Sequence, residues 1–463
     1  MAHQFVYIIL SCIFLFSCSS QEVETVDNEK PNVVLIFLDD GAFEDFSPFG
    51  QPRYPTPNVE ELASEGRSFY SFYVPQAVCS ASRAALLTGC YPGRTKVFGA
   101  HGPRQKGLDP SFATIGEVLK KNGYATGVFG KWHVGDQPET RPMARGFDES
   151  SGLMYSNDMW ANHPESGDYW AKWPLQFWKN GEITIDSVDK EDQKMLSTWY
   201  TEHAVDFIKR HKDQPFFVYL PHSMPHVPIF CSDKFEGKSG VGLYGDVMME
   251  LDWSVGQINQ TLKDEGLEDN TVLIFIGSDN GPWLSYSDHA GLTSFREGKG
   301  TTFDGGVRNP AIVKYPGRME ANSVSYNTFA SIDILPTLCG ITGADLPQNE
   351  IDGKDIWNWI SGDGSGENPH NYYPFSNSKQ FQGVITGDGK WKLHLEHPYR
   401  TIDYGGKDGI PGKYKFETID TSLFDMVHDP YERSNVIAQY PEMAQQLIEW
   451  AEAHEQRFYA QEE

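Results

Sequence analysis

The sequence predicts an α/β fold, a mostly parallel sheet with helices on both faces, followed by a smaller C-terminal α+β subdomain with an antiparallel sheet. Three observations predict it. Apolar runs of strand length alternate with runs of helical spacing. Four of the strand candidates end in acids, amides, lysines or histidines. After about residue 350 the segments shorten and turn residues multiply.

Each element follows from its own pattern. "PNVVLIFLDD" (31–40) is a continuous apolar run, as in a strand buried on both faces, and its carboxyl end delivers Asp39 and Asp40. "CSASRAALLTG" (79–89) has helical spacing with Gly89 as a C-cap, which places Cys79 at a helix N-terminus, where backbone N–H groups favour an anion. The polar turn around Cys79 leads one to expect it exposed to chemistry. "TIGEVLKKNGYATGVFGKWHVG" (114–135) is a helix from Thr114, a stop at Gly123, and a strand ending at Lys131 and His133. "QPFFVYLPHSMPHVP" (214–228) is a strand running out into His222 and His226. "YGDVMMELDWSVGQINQTLKDEG" (244–266) is apolar at i, i+3 and i+4, the mark of a helix. "TVLIFIGSDNG" (271–281) repeats the first pattern and ends in Asp279 and Asn280. Ligands of such sheets bind at the carboxyl ends of the strands, so these residues are expected together.

Beyond "DILPTLCGITG" (333–343) lie a Gly/Ser/Pro-rich loop (361–370), the short strand candidates "YYPFS", "FQGVITGDGKWKLHLE" and "TSLFDMVHDP", and a final helix, "PEMAQQLIEWAEAHEQRF". The Gly-Asp-Gly in the second candidate marks a hairpin turn. The expected division is a main domain over 31–349 and a subdomain over 350–463.

The first residues, "MAHQFVYIILSCIFLFSCSS", read as a signal peptide over 1–17, too short for a spanning helix. Leu15-Phe16-Ser17-Cys18 resembles a bacterial lipobox with Cys18 as the lipidated residue, although the segment before it carries no Lys or Arg; an unlipidated secretory signal is the alternative. Residues 18–30 would be a flexible acidic tether. The expectation is an exported lipoprotein, anchored to a membrane and facing the periplasm or the outer surface.

With 64 Asp and Glu against 38 Lys and Arg, the formal net charge is −26, which argues against nucleic acid as a partner. An anionic substrate would need a local cluster of cations. Of six cysteines, Cys12 and Cys18 belong to the leader; Cys79, Cys90, Cys231 and Cys339 fit neither a disulfide framework nor zinc spacing. A Cys79–Cys90 bridge stays open.

Cys79-Ser80-Ala81-Ser82-Arg83 resembles the C-x-[P/A]-x-R signature of type I sulfatases, in which the cysteine is oxidised to formylglycine. "PNVVLIFLDD", "GKWHVG", "GSDNG", "GKGTTFDGGVRNPAIVKYPG" and "SLFDMVHDPYERSNV" resemble further blocks of that family, in its order, from residue 31 to about 440. The family's fold is alkaline-phosphatase-like. "GLMYSNDMW" and "GLYGDVMMELDWSVGQI" resemble the branch of arylsulfatase A and N-acetylgalactosamine-6-sulfatase.

The resemblance implies a sulfuric ester hydrolase whose nucleophile is the formylglycine hydrate at Cys79, made by a maturating enzyme. Asp39, Asp40, Asp279 and Asn280 would hold Ca²⁺ (or Mg²⁺), consistent with an all-oxygen hard donor set. Arg83 and Lys131 would stabilise the hydrate, His133 would take its second proton, His226 would protonate the leaving sugar oxygen, and Lys299 would bind sulfate. His222 competes for the acid role. Asn157, Asp158 and Trp160, in the aromatic-rich stretch 152–178, are candidate substrate contacts; that stretch is equally readable as a lid packed on its own aromatics. The expected substrate is a sulfated polysaccharide or oligosaccharide, an algal galactan or glycosaminoglycan with galactose-like units favoured. The alternatives are a formylglycine-dependent phosphonate monoester or phosphodiester hydrolase and an inactive glycan-binding surface lipoprotein.

Overall fold

A computed structural model describes Met1 and residues 30–362 and 366–460. The expected signal peptide, Cys18 and almost all of the tether lie outside the described residues. Eleven strands form the main sheet: β1 (Asn32–Phe37), β2 (Arg67–Tyr73), β3 (Ala125–Lys131), β4 (Glu149–Leu153), β5 (Phe177–Lys179), β6 (Glu182–Ile185), β7 (Phe216–Pro221), β8 (Thr271–Ile276), β9 (Arg308–Lys314), β10 (Ser323–Ser325) and β11 (Phe329–Ala330). Their order is β10-β2-β9-β8-β1-β7-β3-β4-β5-β6, with β11 paired to β2.

The centre, β8-β1-β7-β3-β4, is parallel throughout; the strands expected from the sequence, β1, β3, β7 and β8, are joined there by β4, which the sequence did not mark. Every residue of β1 is buried. Its side chains alternate between two cores, as the pleat requires. Val33, Leu35 and Phe37 pack with Ala84, Leu86 and Leu87 of the helix Cys79–Thr88. Val34, Ile36 and Leu38 pack on the other face with Leu196 and Phe207 of the helix Lys190–Arg210 and with Val247 and Leu251 of Leu243–Asp264. Helices therefore cover both faces.

The flanks of the sheet depart from a purely parallel arrangement. β9 is antiparallel to both β8 and β2, and β5 is antiparallel to β4 and β6. A parallel neighbour needs a crossover back to the start of the sheet. The connection 277–307 instead stays at the carboxyl end and feeds β9 directly, so β9 must run back down.

In the C-terminal region, β12 (Tyr372–Asn377), β13 (Gln380–Thr386), β14 (Trp391–His394) and β17 (Ser422–Asp425) form a separate antiparallel sheet, with the Gly-Asp-Gly turn between β13 and β14. The helix Pro441–Phe458 covers it with Ala444, Leu447 and Ala451. β15 (His397–Tyr404) and β16 (Lys413–Ile419) form a hairpin of their own. A buried ionic group ties this region to the loop after β8: Lys392 Nζ lies 2.7 Å from Asp304 and 2.9 Å from Glu432. No helix among the described residues is long and apolar enough to cross a membrane.

Candidate active site

Four adjacent strands, β8, β1, β7 and β3, end at one place, and their carboxyl ends deliver the charged residues anticipated there. β1 runs into Asp39 and Asp40, β8 into Asp279 and Asn280, and β3 ends in Lys131, two residues before His133. Gly130 makes the last placement possible: at φ 144° it lies so close to β7 that a Cβ would sit 1.9 Å from the Pro221 carbonyl oxygen. Asp40 (φ 61°) and His133 (φ 60°) occupy the left-handed region, a local cost of about 1–3 kcal/mol that the surrounding packing must offset.

The helix Cys79–Thr88 points its N-terminus at this cluster and stops at Gly89, whose left-handed conformation lets its N–H reach the Ala85 carbonyl. Cys79 is 1% exposed, more enclosed than its polar turn suggests, because the loops after β1, β3 and β8 close around it. Its Sγ is 3.6 Å from Asp39 Oδ1 and 3.4 Å from Lys299 Nζ. Burial, and then the Asp279 charge, push the thiol far above its ordinary range. The unmodified side chain is therefore neutral. Cys79, Cys90, Cys231 and Cys339 are all free, so the Cys79–Cys90 bridge is not formed.

Cations and carboxylates interleave around Cys79. Arg83 is fully buried and donates from Nε (3.0 Å) to Asp279 Oδ2, with Nη2 2.9 Å from the same oxygen. Its Nη1 donates to the Lys131 carbonyl at 3.0 Å. Lys131 Nζ donates to Asp39 Oδ2 through a short bond and to Ser156 Oγ at 3.1 Å. Lys299 Nζ contacts both oxygens of Asp40, at 2.6 and 2.7 Å, and lies 4.6 Å from the centre of the Trp283 ring. Burial opposes ionisation of Asp39, but Lys131, then His226, Arg83 and Lys299, outweigh it and hold its carboxyl well below the usual range. Burial, together with the Asp39 charge, pushes the Asp279 carboxyl up to about 7.

The two site histidines have defined tautomers when neutral. His133 Nε2 lies 2.9 Å from the His101 carbonyl, which can only accept, so Nε2 carries the proton and the buried Nδ1, without a partner, presents its lone pair. Burial, then Lys131 and Arg83, hold this ring far below its ordinary pKa. His226 Nδ1 donates to the Val227 carbonyl at 2.5 Å, which turns Nε2 toward Ser156 Oγ (3.4 Å) and Asp40 Oδ2 (3.5 Å). His222 is elsewhere. It is fully buried, bonded through Nε2 to Ser254 Oγ at 2.9 Å, and burial lowers its pKa to about 3.

A cavity of about 270 Å³ opens onto Cys79, His133, His226 and Lys299. Of the substrate candidates in 152–178, Asp158 and its neighbour Met159 line it. Asn157 does not reach it: the residue is fully buried and its amide donates to the Pro228 carbonyl at 3.0 Å. Trp160 does not reach it either, because its ring packs edge-on against Phe230. Residues not anticipated in the sequence complete the wall: Ser156, Trp283, Asn377 and Arg400. Ser156 lies inside the block "GLMYSNDMW" and Trp283 two residues after "GSDNG", but a lone serine or tryptophan carries no signal. Asn377 and Arg400 come from the C-terminal region, where nothing local marks them.

The donor chemistry fits a hard divalent cation. Asp39, Asp40, Asp279 and Asn280 supply oxygen only. Asn280 donates from Nδ2 to Asp40 Oδ1 at 2.7 Å, which leaves its amide oxygen Oδ1 buried with no hydrogen-bond partner. One carboxylate oxygen each from Asp39 and Asp40 also clusters within 4.8 Å of Cys79 and His226 donor atoms.

Residues 31–344 match the family model described as Sulfatase. The chain belongs to the sulfatase family. This sulfatase is 34% identical to bovine (Bos taurus) arylsulfatase A over 439 residues, covering 90% of this chain and 86% of that one. It is 30% identical to an N-acetylgalactosamine-6-O-sulfatase of Bacteroides thetaiotaomicron over 516 residues, covering 96% and 98%. Its structure is similar to that of the sulfatase PsFucS1 from Pseudoalteromonas sp., with a TM-score of 0.82 and 25% identity over 94% and 92% of the two chains. The sulfatase is thus a sulfuric ester hydrolase with an alkaline-phosphatase-like fold.

Proposed function

We propose that this sulfatase hydrolyses sulfate esters of a sulfated polysaccharide or oligosaccharide, with galactose-like units favoured, through a formylglycine made from Cys79. The observation that carries this reading is the placement of Cys79: at a helix N-terminus, on the floor of a cavity, between the Lys299 ammonium and the Asp39 carboxylate. The carbohydrate class rests on the similarity to the Bacteroides N-acetylgalactosamine-6-O-sulfatase.

Each residue then has a task set by its geometry. The aldehyde at position 79 takes up water to give two hydroxyls. One attacks sulfur as the bond from sulfur to the sugar oxygen breaks, its proton passing to a neighbouring carboxylate such as Asp39, 3.6 Å from position 79. The other later loses its proton so that the sulfated hemiacetal collapses and releases sulfate, which splits the difficult step in two. Arg83 and Lys131 neutralise the carboxylates beside position 79 and fix their orientation. His133 offers the unprotonated Nδ1 as the base for the second hydroxyl. Protonated on both ring nitrogens, His226 keeps its Nδ1–H on the Val227 carbonyl and hands the Nε2 proton to the leaving oxygen; Asp40, 3.5 Å away, favours this charged form against burial and Lys299. Lys299 supplies positive charge to the sulfate, backed by the Trp283 ring. Asp39, Asp40, Asp279 and Asn280 would hold Ca²⁺ or Mg²⁺, which when bound would offset the charge of the sulfate group.

Expression with and without a formylglycine-generating enzyme tests the proposal. The active preparation should show the thiol-to-aldehyde mass loss in the peptide that contains Cys79, and should desulfate defined sulfated oligosaccharides faster than it cleaves matched aryl phosphates. Full activity of Cys79→Ala would overturn it, and preferential cleavage of phosphate or phosphonate esters would move the chain to the alternative hydrolase. We also propose that residues 1–17 export the chain and that Cys18 is lipidated; palmitate labelling lost in Cys18→Ala is the expected result, and labelling retained would refute it.

A further inference from the structure

Beyond Cys79 the cavity continues into a groove of about 390 Å³ that shares Gly300, Asn377 and Arg400 with it. The groove is also lined by Lys379, Tyr399 and Phe416, and by no acidic residue. This is unusual on a chain of net charge −26. The cations nearest Cys79 are each balanced by carboxylates. Arg400 is different. Among the described residues no carboxylate lies within ion-pair distance of it, and none pairs with Lys379.

The guanidinium of Arg400 is held in place nonetheless. Nε donates to the Lys299 carbonyl at 3.0 Å, Nη2 donates to the same oxygen, and the plane lies 4.5 Å from the centre of the Tyr414 ring. Phe416 stands directly opposite Arg400 across the β15–β16 pair and is 77% exposed. A fixed, unpaired guanidinium beside an open aromatic face matches a sugar ring that carries its own anion: the ring's apolar face covers Phe416, and the anion takes the remaining guanidinium donors. Asp158, which also lines the cavity, would repel such a group and accept hydroxyls instead.

Taking the carbohydrate sulfatase reading as its basis, we propose that the groove around Arg400 and Phe416 is a subsite for the sugar next to the one being desulfated, and that it selects a neighbour bearing a second anionic group, sulfate or carboxylate. Specificity would thus be set by the C-terminal hairpin and not by the motifs around Cys79.

Binding, separated from turnover, tests this. The Cys79→Ser chain, with Arg400 intact or replaced by Gln or Lys, is titrated with three matched oligosaccharides whose neighbouring sugar carries sulfate, a carboxylate or neither. With Arg400 present, at least one anionic form should bind about tenfold or more tightly than the neutral one, as a charge-assisted pair implies, and the tighter arm identifies the anion. The preference should shrink with added salt. Arg400→Gln should bring the ratio near one, Arg400→Lys should keep part of it, and Phe416→Ala should weaken all three ligands alike. Equal binding of the three ligands to the Arg400 form, or a preference that survives in Arg400→Gln, would overturn the subsite. Failure of all three to bind, in a chain whose Cys79 form still hydrolyses an aryl sulfate, would overturn the carbohydrate reading and the subsite with it.

Discussion

Arg83→Leu should destabilise this protein mainly by leaving a buried carboxylate unpaired. The guanidinium is fully buried and meets Asp279 twice, at 3.0 and 2.9 Å, Asp39 at 3.5 Å and the Lys131 carbonyl at 3.0 Å. Leucine fills much of the volume but leaves the Asp279 carboxylate facing Asp39 with no counter-charge from the helix. Breaking one side of a buried pair costs about 3–5 kcal/mol. With an unfolding entropy of about 2.1 cal/mol/K per residue over roughly 430 folded residues, the midpoint should fall by about 3–6 °C. Arg83→Lys keeps the charge but can replace only one of these contacts, so its loss should be smaller. Arg83→Leu combined with Asp279→Asn should lose less than the two single changes added together, because the second removes the charge that the first leaves unpaired. Calorimetry in EDTA isolates the effect, and added Ca²⁺ should restore more of the midpoint in Arg83→Leu than in the unaltered chain. A midpoint that does not move in Arg83→Leu, or strict additivity with Asp279→Asn, would refute the claim that Arg83 neutralises this cluster.

The two histidines after β7 should behave differently. His226→Ala should lower kcat/KM for a sulfated sugar by about 10²–10⁴-fold and far less for a nitrophenyl sulfate, whose leaving group needs no proton; equal losses on both would reassign the acid. His222→Ala should lower the melting point, because it removes the buried bond to Ser254, and should leave the ratio of the two substrates unchanged. Asp279→Ala should abolish most activity and the stabilisation of the chain by Ca²⁺, read as a melting point that no longer rises with added Ca²⁺. Asp45 gives a pH test away from the catalytic cluster. Burial raises its carboxyl to about 6, against hydrogen bonds from Tyr244, Ala42 and Tyr54, while Glu44 adds to the rise. Because the folded pKa lies above the unfolded value of 3.8, the stability it contributes is complete below that value and is lost as pH rises through about 6, a change of about 3 kcal/mol. Asp45→Asn should remove this fall between about pH 4 and about pH 7 in chemical-denaturation measurements; an unchanged pH profile would count against it.

The amino-acid sequence by itself determined the central strands: β1, β7 and β8 are near-continuous apolar runs with few other destinations, and the Gly123 stop marks the start of β3. It also determined that Asp39, Asp40, Lys131, His133, Asp279 and Asn280 would meet, since parallel strands of one sheet end at the same edge. The helix that starts at Cys79 was readable because Gly89 stops it ten residues later, and the chemistry of Cys79 came from the resemblance of residues 79–83 to the sulfatase signature. Only the tertiary structure separated His226 from His222. They are four residues apart with similar neighbours, and the path of the chain after β7 sends one ring into the cavity and the other against Ser254. Asn157 and Trp160 went the same way: aromatic and amide content marks a stretch but not the face each side chain takes, and packing against Pro228 and Phe230 turned these two inward. Ser156, Asn377 and Arg400 left no trace in local pattern, because their place depends on contacts between segments 70 to 101 residues apart. Short-range periodicity reports which way a side chain points relative to its own element. The distance between elements is set by how the two cores and the C-terminal hairpin pack, and that is where the wall of the cavity was decided.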